Sequence, residues 1–194
     1  MNLPNRLTVT RIILTIVIVI LCLFPFYMVG INFPKFNIAG LVVDSVYFIS
    51  GLIYIIAAFT DYLDGNIARK NNLVTDTGKL LDAIADKVLV NSCLVIFACR
   101  GFIPSIVPVI YIFREEVVNA IKMDLLKKGY VTAAIKSGKI KTASMMIGLA
   151  LMFFYNLPFE LINLKVADFL IYFAVIMSIV SMIEYINIWK KVKK

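Results

Sequence analysis

The sequence of 194 residues contains no histidine. Histidine is the usual general base near neutral pH and the most frequent zinc ligand in proteins. Its absence excludes a zinc site built on imidazoles and a mechanism that depends on one. If the protein is an enzyme, its general base must therefore be a carboxylate or a lysine.

Cysteine is also scarce, with three residues in the whole chain: Cys22, Cys93 and Cys99. Each of them lies in an apolar run. An odd number of cysteines without metal-ligand spacing argues against both a disulfide framework and a metal site. We interpret all three as packing residues buried in a membrane.

Charged residues make up only 16% of the chain, whereas hydrophobic residues make up 61% and the mean hydropathy is +0.92. This apolar share is far above that of a soluble domain and predicts an integral membrane protein. The net charge is +8, and the basic residues lie between apolar runs and at the C-terminus. That distribution favours an anionic lipid surface and anionic substrates as partners, and not nucleic acid.

Six apolar runs predict six transmembrane helices in an all-α polytopic protein, organised as a single domain over residues 1–194. The predicted spans are residues 12–29, 38–60, 80–99, 103–123, 142–157 and 168–189.

A short N-terminal segment, residues 1–10, precedes the first span. Its arginines lack the apolar spacing of a cleavable signal peptide, and no small-residue cleavage site follows. We expect this segment either to anchor the chain at the membrane interface or to line the entrance of a site with Asn5, Thr8 and Arg11.

The basic residues also predict how the chain crosses the membrane. The turns after the first, third and fifth spans carry only Lys35, Arg100 and Lys165. Almost all other lysines and arginines fall on the opposite side. The positive-inside rule therefore predicts a multi-pass protein of the cell membrane with both termini in the cytoplasm.

Four aspartates interrupt this apolar chain near the predicted cytoplasmic edge. In a helix, Asp61 and Asp64 would lie on one face, three residues apart. Asp82 and Asp86 would likewise lie on one face of a helix, four residues apart. A short polar connection over residues 70–77 separates the two pairs. A helical hairpin would therefore turn the two pairs of carboxylates toward each other.

Four neighbouring carboxylates need a cation between them. Carboxylates at helical spacing without other ligand types suit Mg²⁺ or Mn²⁺, and two such ions are a common device of phosphoryl chemistry. A solvated acidic face is disfavoured because charge in an apolar span is costly. A divalent-cation transporter is disfavoured because the aspartates lie at one edge beside Arg69, and not near the bilayer middle.

The pattern D-x-x-D-G-x-x-A-R, followed by eight residues and G-x-x-x-D-x-x-x-D, resembles the signature of the CDP-alcohol phosphatidyltransferases. Every fixed position of it is present between Asp61 and Asp86. The resemblance implies attack of an alcohol on a CDP-activated substrate with release of CMP, in a homodimer. It also implies that Asp61, Asp64, Asp82 and Asp86 hold two metal ions and that Asp86 is the general base.

The resemblance further implies a binding site for the CDP-linked lipid. Gly65 and Gly78 would let the nucleotide approach the backbone, and Arg69 would pair with a phosphate in bidentate fashion. Arg69 could instead be an anchor at the cytoplasmic edge. The residues expected at this site are Asp61, Asp64, Gly65, Ala68, Arg69, Gly78, Asn5 and Thr8.

Three more segments are similar to the bacterial phosphatidylglycerophosphate synthases of this family: the opening N-L-P-N-R-L-T-x-x-R, R-E at 114–115, and G-K-x-K-T at 138–142. This similarity implies CDP-diacylglycerol as donor and sn-glycerol 3-phosphate as acceptor. The candidates for binding the acceptor phosphate are Arg114, Lys139, Lys141, Lys136 and Arg11.

Alternatives remain both for the acceptor molecule and for the roles of these residues. Inositol phosphate, serine or phosphatidylglycerol are acceptors for the same class of enzyme. Each lysine could instead be ordinary positive-inside charge. Arg114 could form an internal ion-pair cluster with Glu115 and Glu116, since an arginine within a span needs a partner or a ligand.

Overall fold

The protein is described by a computed structural model that covers residues 3–38, 40–70, 76–130 and 135–193. Within these ranges, the side chains of residues 3–4, 61–70, 76–77, 79–80 and 193 lie outside the description. Six α-helices and one β-hairpin follow in the order α1 (Leu3–Leu23), β1 (Lys35–Ile38), β2 (Leu41–Asp44), α2 (Ser45–Lys70), α3 (Asp76–Cys99), α4 (Ile106–Lys127), α5 (Lys136–Phe153) and α6 (Val166–Lys193).

The predicted all-α class is therefore confirmed, with one local departure before the second helix. Hydropathy predicts a span that begins at Ile38, but α2 begins at Ser45 and the apolar run before it forms the antiparallel hairpin. The Asn37 side chain accepts a hydrogen bond from the amide of Gly40 at 3.0 Å. Gly40 adopts a φ of +89°, which glycine tolerates at low cost.

The N-terminal segment is not separate from the first span in the described residues. Helix α1 is continuous from Leu3 and carries both the polar opening and the apolar run. Helix α5 likewise begins at Lys136, six residues before the predicted span at 142–157, so that it includes basic residues that lie between the predicted spans. In both helices, the helical conformation therefore extends past the apolar run into polar residues.

Two helical segments, Asn5–Leu23 and Val166–Val192, are long and apolar enough to cross a membrane by length and composition. Helices α2, α3 and α4 contain aspartates, arginine or glutamates, which interrupt their apolar stretches. Helices of sufficient length and apolar composition therefore lie at both ends of the described chain. The count of six spans stays a prediction.

The helices pack in two groups that share an apolar core. Helix α1 packs against both α2 and α3, and helix α6 packs against α4 and α5. At Gly148, an added Cβ would lie 2.9 Å from the Ile171 side chain, so α5 and α6 approach closely there. The core between the helices includes Tyr54, Phe97 and Phe153.

This arrangement gives the bundle two chemically different ends. The end of α2 and the start of α3 bring the acidic motif to one end. The hairpin, the start of α2 and the end of α3 form the other end, where Tyr47 packs on Phe97 and Cys22 contacts Ser50. The N-terminal half of α1, with Arg11, lies at the acidic end.

Candidate active site

The backbone places the acidic motif on two helix ends. Helix α2 continues to Lys70 and therefore includes Asp61, Asp64, Gly65, Ala68 and Arg69 in its last turns. The side chains of these residues lie outside the description, and so does the connection at 71–75. The prediction that both halves of the motif are helical is confirmed, because α2 extends to Lys70 and α3 begins at Asp76.

Asp82 and Asp86 converge on a single atom of α1. Nη1 of Arg11 lies 3.0 Å from Oδ1 of Asp82 and 2.9 Å from Oδ1 of Asp86. The Arg11 side chain is fully buried, whereas the two aspartate side chains are 43% and 45% exposed. The guanidinium therefore lies on the inner side of the carboxylate pair, between α1 and α3.

This geometry fits a divalent-cation site. The two carboxylates are one helical turn apart, and their contact with a shared nitrogen shows that they point to a common position. Ionised carboxylate oxygens are the ligands that Mg²⁺ and Mn²⁺ prefer. Two of the four predicted ligands therefore lie side by side on a partly exposed surface, although the described residues alone bring together no group of three or more potential metal ligands.

The structure also describes three of the residues predicted for the lipid nucleotide: Asn5, Thr8 and Gly78. Thr8 is buried on α1 and shares a face with Arg11, three residues later. Asn5 and Gly78 are half-buried, near the start of α1 and α3. These residues therefore belong to the same end of the bundle as Asp82 and Asp86.

Arg114 is buried at the interface between α4 and α6. Its Nε donates a hydrogen bond to the backbone carbonyl of Ser178 at 2.6 Å, and its Nη2 donates to Oγ of Ser181 at 2.5 Å. Both bonds join α4 to α6. The arginine that the sequence predicts at the acceptor phosphate thus also has partners within the protein.

Lys141 is the second buried cation of this region. Its Nζ lies 3.0 Å from Oε1 of Glu115 and 4.5 Å from the centre of the Tyr111 ring. Oε2 of Glu115 accepts a hydrogen bond from Nδ2 of Asn91 at 3.4 Å. Side chains of α3, α4 and α5 therefore meet in one polar cluster, which we call the Lys141 cluster: Asn91, Tyr111, Glu115 and Lys141.

The five predicted phosphate-binding cations therefore have different surroundings. Arg11 contacts the aspartates, and Arg114 and Lys141 are buried between helices. Lys136 and Lys139 are exposed. Helical geometry explains this difference for Lys139 and Lys141, because residues two apart point in different directions.

Four polar residues of this region are not among the site residues predicted from the sequence: Asn91, Tyr111, Ser178 and Ser181. Each lies within an apolar helix. A polar side chain in such a helix is a signal for a functional or buried polar cluster. The signal for these four is weak, because serines, asparagines and tyrosines also occur singly in ordinary spans.

The chain matches known proteins along almost its full length. Residues 1–183 match the family model described as CDP-alcohol phosphatidyltransferase. A relative from Bacillus subtilis is 36% identical over 186 residues, which cover 96% of this chain and 94% of the relative. Its name is CDP-diacylglycerol–glycerol-3-phosphate 3-phosphatidyltransferase.

Two further relatives carry the same name. The one from Haemophilus influenzae is 34% identical over 194 residues, covering 97% of this chain and 94% of the relative. The one from Rickettsia bellii is 30% identical over 191 residues, covering 98% and 96%. The similarity therefore extends over the acidic motif and over the region of Arg114 and Lys141 alike.

Proposed function

The chain belongs to the CDP-alcohol phosphatidyltransferase family, and from this membership we propose that it transfers the phosphatidyl group of CDP-diacylglycerol to sn-glycerol 3-phosphate. The products are phosphatidylglycerophosphate and CMP. The observation that carries the proposal is the similarity, over nearly the whole chain, to relatives from three organisms that bear this one enzyme name. The protein is then an enzyme of phospholipid synthesis.

The reaction is a displacement at phosphorus. A hydroxyl oxygen of glycerol 3-phosphate forms a bond to the phosphorus that carries the diacylglycerol, and the bond from that phosphorus to the CMP oxygen breaks. The hydroxyl proton passes to a base, for which Asp86 is the candidate. The Asp86 side chain is 45% exposed, which allows an acceptor to approach.

Asp61, Asp64, Asp82 and Asp86 are the proposed ligands of Mg²⁺ or Mn²⁺, with two ions at the site. When bound, the ions would neutralise the negative charge that develops on the leaving CMP. Arg11 contacts Asp82 and Asp86 directly and orients both carboxylates from behind. Its charge also offsets the repulsion between them.

The other assignments follow from the acidic motif and from the three further segments that resemble the bacterial synthases. The proposed contacts of CDP-diacylglycerol are Asp61, Asp64, Gly65, Ala68, Arg69, Gly78, Asn5 and Thr8. The proposed cations for the acceptor phosphate are Arg114, Lys139, Lys141 and Lys136. Arg11, the fifth cation predicted from the sequence, is fully buried behind Asp82 and Asp86, and its proposed role is to orient them. Burial of Arg114 and Lys141 supports this role in part, since a charge removed from water binds a phosphate more strongly.

We assign the whole chain, residues 1–194, to one membrane domain that crosses the cell membrane six times and functions as a homodimer. The acidic end then faces the cytoplasm, where the positive-inside rule also places both termini. This orientation agrees with a CDP-activated substrate, because nucleotides are cytosolic. The diacyl chains of the donor remain among the membrane lipids.

The test is CMP release by the purified protein in detergent with CDP-diacylglycerol and Mg²⁺. Glycerol 3-phosphate, inositol 1-phosphate, serine and phosphatidylglycerol are supplied separately. We expect turnover with glycerol 3-phosphate alone. Turnover with a different acceptor would retain the enzyme class and contradict the acceptor, and folded protein that releases no CMP with any acceptor would contradict the class.

A further inference from the structure

The ammonium of Lys141 is held from two sides within the bundle. Oε1 of Glu115 lies 3.0 Å away, and the Tyr111 ring centre lies 4.5 Å away. The Lys141 side chain is only 6% exposed and that of Glu115 is 13% exposed. A lysine in such surroundings keeps its charge only if a nearby anion compensates for the lost hydration, and Glu115 is that anion.

Glu115 is in turn fixed from the opposite side. Its Oε2 accepts a hydrogen bond from Nδ2 of Asn91 at 3.4 Å, while Oε1 contacts Lys141. Both carboxylate oxygens are therefore engaged, one by α3 and one by α5. A flipped Asn91 amide would direct an oxygen at the carboxylate, so the charge of Glu115 selects the observed orientation.

The location of this cluster links it to the reaction. Asn91 follows Asp86 on α3 by five residues, about one and a half helical turns, and Glu115 follows Arg114 on α4 directly. The cluster thus connects the helix of the proposed general base with the two helices of the proposed acceptor-phosphate cations. A substitution of Glu115 would therefore alter the surroundings of Lys141 and leave every residue of the acidic motif unchanged.

We infer that Glu115 is a positioning residue, which fixes the ammonium of Lys141 where the phosphate of the acceptor binds. The inference rests on the proposed function. An ammonium has three N–H donors, and Glu115 accepts from one, so donors remain for phosphate oxygens. A long lysine chain that is already ordered loses less conformational entropy when the anion binds.

The test compares Glu115→Gln, which keeps the shape of the side chain but not its charge, with Glu116→Gln. Glu116 is the adjacent residue, is exposed, and contacts Asn119 on its own helix at 3.5 Å, which makes it a matched control. For Glu115→Gln we expect the KM for glycerol 3-phosphate to rise about tenfold, as for loss of a buried charged hydrogen bond. The KM for CDP-diacylglycerol should stay unchanged, and Glu116→Gln should alter neither.

The exchange variant Glu115→Lys/Lys141→Glu separates positioning from structural stabilisation. It restores opposite charges between α4 and α5 but moves the ammonium to the other helix. We expect its thermal stability to exceed that of Lys141→Glu alone, while its KM for glycerol 3-phosphate remains raised. An exchange variant with the wild-type KM would overturn the inference, because the pair would then act through stability alone.

Two outcomes separate the inference from the function on which it rests. If wild-type protein turns over glycerol 3-phosphate and Glu115→Gln has the same KM for it, Glu115 does not position Lys141 and only the inference fails. If folded wild-type protein does not turn over glycerol 3-phosphate, the proposed function fails. If Glu115→Gln raises the KM for both substrates and lowers the melting temperature, Glu115 acts through stability alone, and the inference is also overturned.

Discussion

Nη1 of Arg11 lies 2.9 Å from Oδ1 of Asp86, although 75 residues separate the two in the sequence. The same nitrogen contacts Asp82, so one buried cation on α1 organises the described half of the acidic motif on α3. Helix α1 is therefore part of the candidate active site and not only a membrane anchor. This relationship supplies the first prediction.

Replacing Arg11 with alanine should remove most of the activity and lower the stability of the protein. Two neighbouring carboxylates would lose their shared cation. We expect a loss of about 2 kcal/mol, less than for a fully buried pair because Asp82 and Asp86 are nearly half exposed. CMP release and the melting temperature in detergent measure the two effects.

Arg11→Lys keeps the charge and should retain more activity than Arg11→Ala, though less than wild type, because one ammonium cannot reproduce the guanidinium geometry. Arg6→Ala is the control, since Arg6 is an exposed cation on the same helix. Equal activity of Arg11→Ala and wild type would contradict a role for Arg11 at the carboxylate pair.

Asp86→Asn should reduce turnover at least about a hundredfold, because a general base and a metal ligand are removed together. Its melting temperature should change little, since the amide can still accept a hydrogen bond from Arg11. The control is Asp44→Asn at the other end of the bundle. There the side chain accepts a hydrogen bond from the amide of Val46, and asparagine can also do so. Near-normal turnover of Asp86→Asn would reject the assignment of Asp86 as base.

Chelation should abolish activity, and Mg²⁺ or Mn²⁺ should restore it. Carboxylate ligands without histidine or cysteine bind these ions by charge, so their removal by a chelator is reversible. CMP release is measured before chelation, with excess EDTA, and after each ion is added back. Activity that survives complete chelation would remove the metal from the account.

Arg114→Ala should raise the KM for glycerol 3-phosphate by about tenfold or more if this cation contacts the acceptor phosphate. Lys122→Ala on the same helix removes an equal charge, whose contact is the Tyr185 ring at 4.8 Å, and should leave that KM unchanged. Ser181→Ala removes one partner of Arg114 but retains the cation. An unchanged KM in Arg114→Ala would place the acceptor phosphate elsewhere.

The single tryptophan reports on the contact between the C-terminal ends of α4 and α6. The indole N–H of Trp189 donates to Oδ2 of Asp124 at 2.7 Å, and Nζ of Lys128 lies 3.2 Å from the same oxygen. These contacts lower the pKa of Asp124, the Trp189 hydrogen bond most. Because the folded-state pKa lies below that of the unfolded chain, the contact stabilises the fold above the unfolded pKa and loses this effect as the pH falls through the folded value.

Intrinsic fluorescence tests this pH dependence directly, because Trp189 is the only tryptophan. We expect an acid transition of its emission with a midpoint below that of an ordinary aspartate. Asp124→Asn should lack the transition, because asparagine does not titrate. A transition of the same midpoint in that variant would assign the change to a different group.

The sequence predicts the helices and the acidic motif well because both depend on local spacing. The apolar runs locate the helices, and steps of three and four place Asp82 and Asp86 on one face. Hydropathy does not reveal the hairpin before α2, because the apolar residues of β2 (Leu41–Asp44) are continuous with the helix that follows. Asn37 and Gly40 are the available turn signal.

Contacts between distant helices cannot be predicted in the same way. The sequence places Arg11 among the cations for the acceptor phosphate, but its contact with Asp82 and Asp86 depends on how α1 packs against α3. The Glu115–Lys141 pair likewise requires the relative position of α4 and α5. Charge in an apolar span indicates that a partner exists, but the three-dimensional packing decides which one.

The most direct test of the account follows the acceptor itself into lipid. Purified protein is supplied with CDP-diacylglycerol, Mg²⁺ and radiolabelled glycerol 3-phosphate, and the chloroform-soluble products are identified by mass. We expect labelled phosphatidylglycerophosphate and an equal amount of unlabelled CMP, and neither product when CDP-diacylglycerol is omitted. Folded, metal-loaded protein that leaves all the label in the aqueous phase would contradict it.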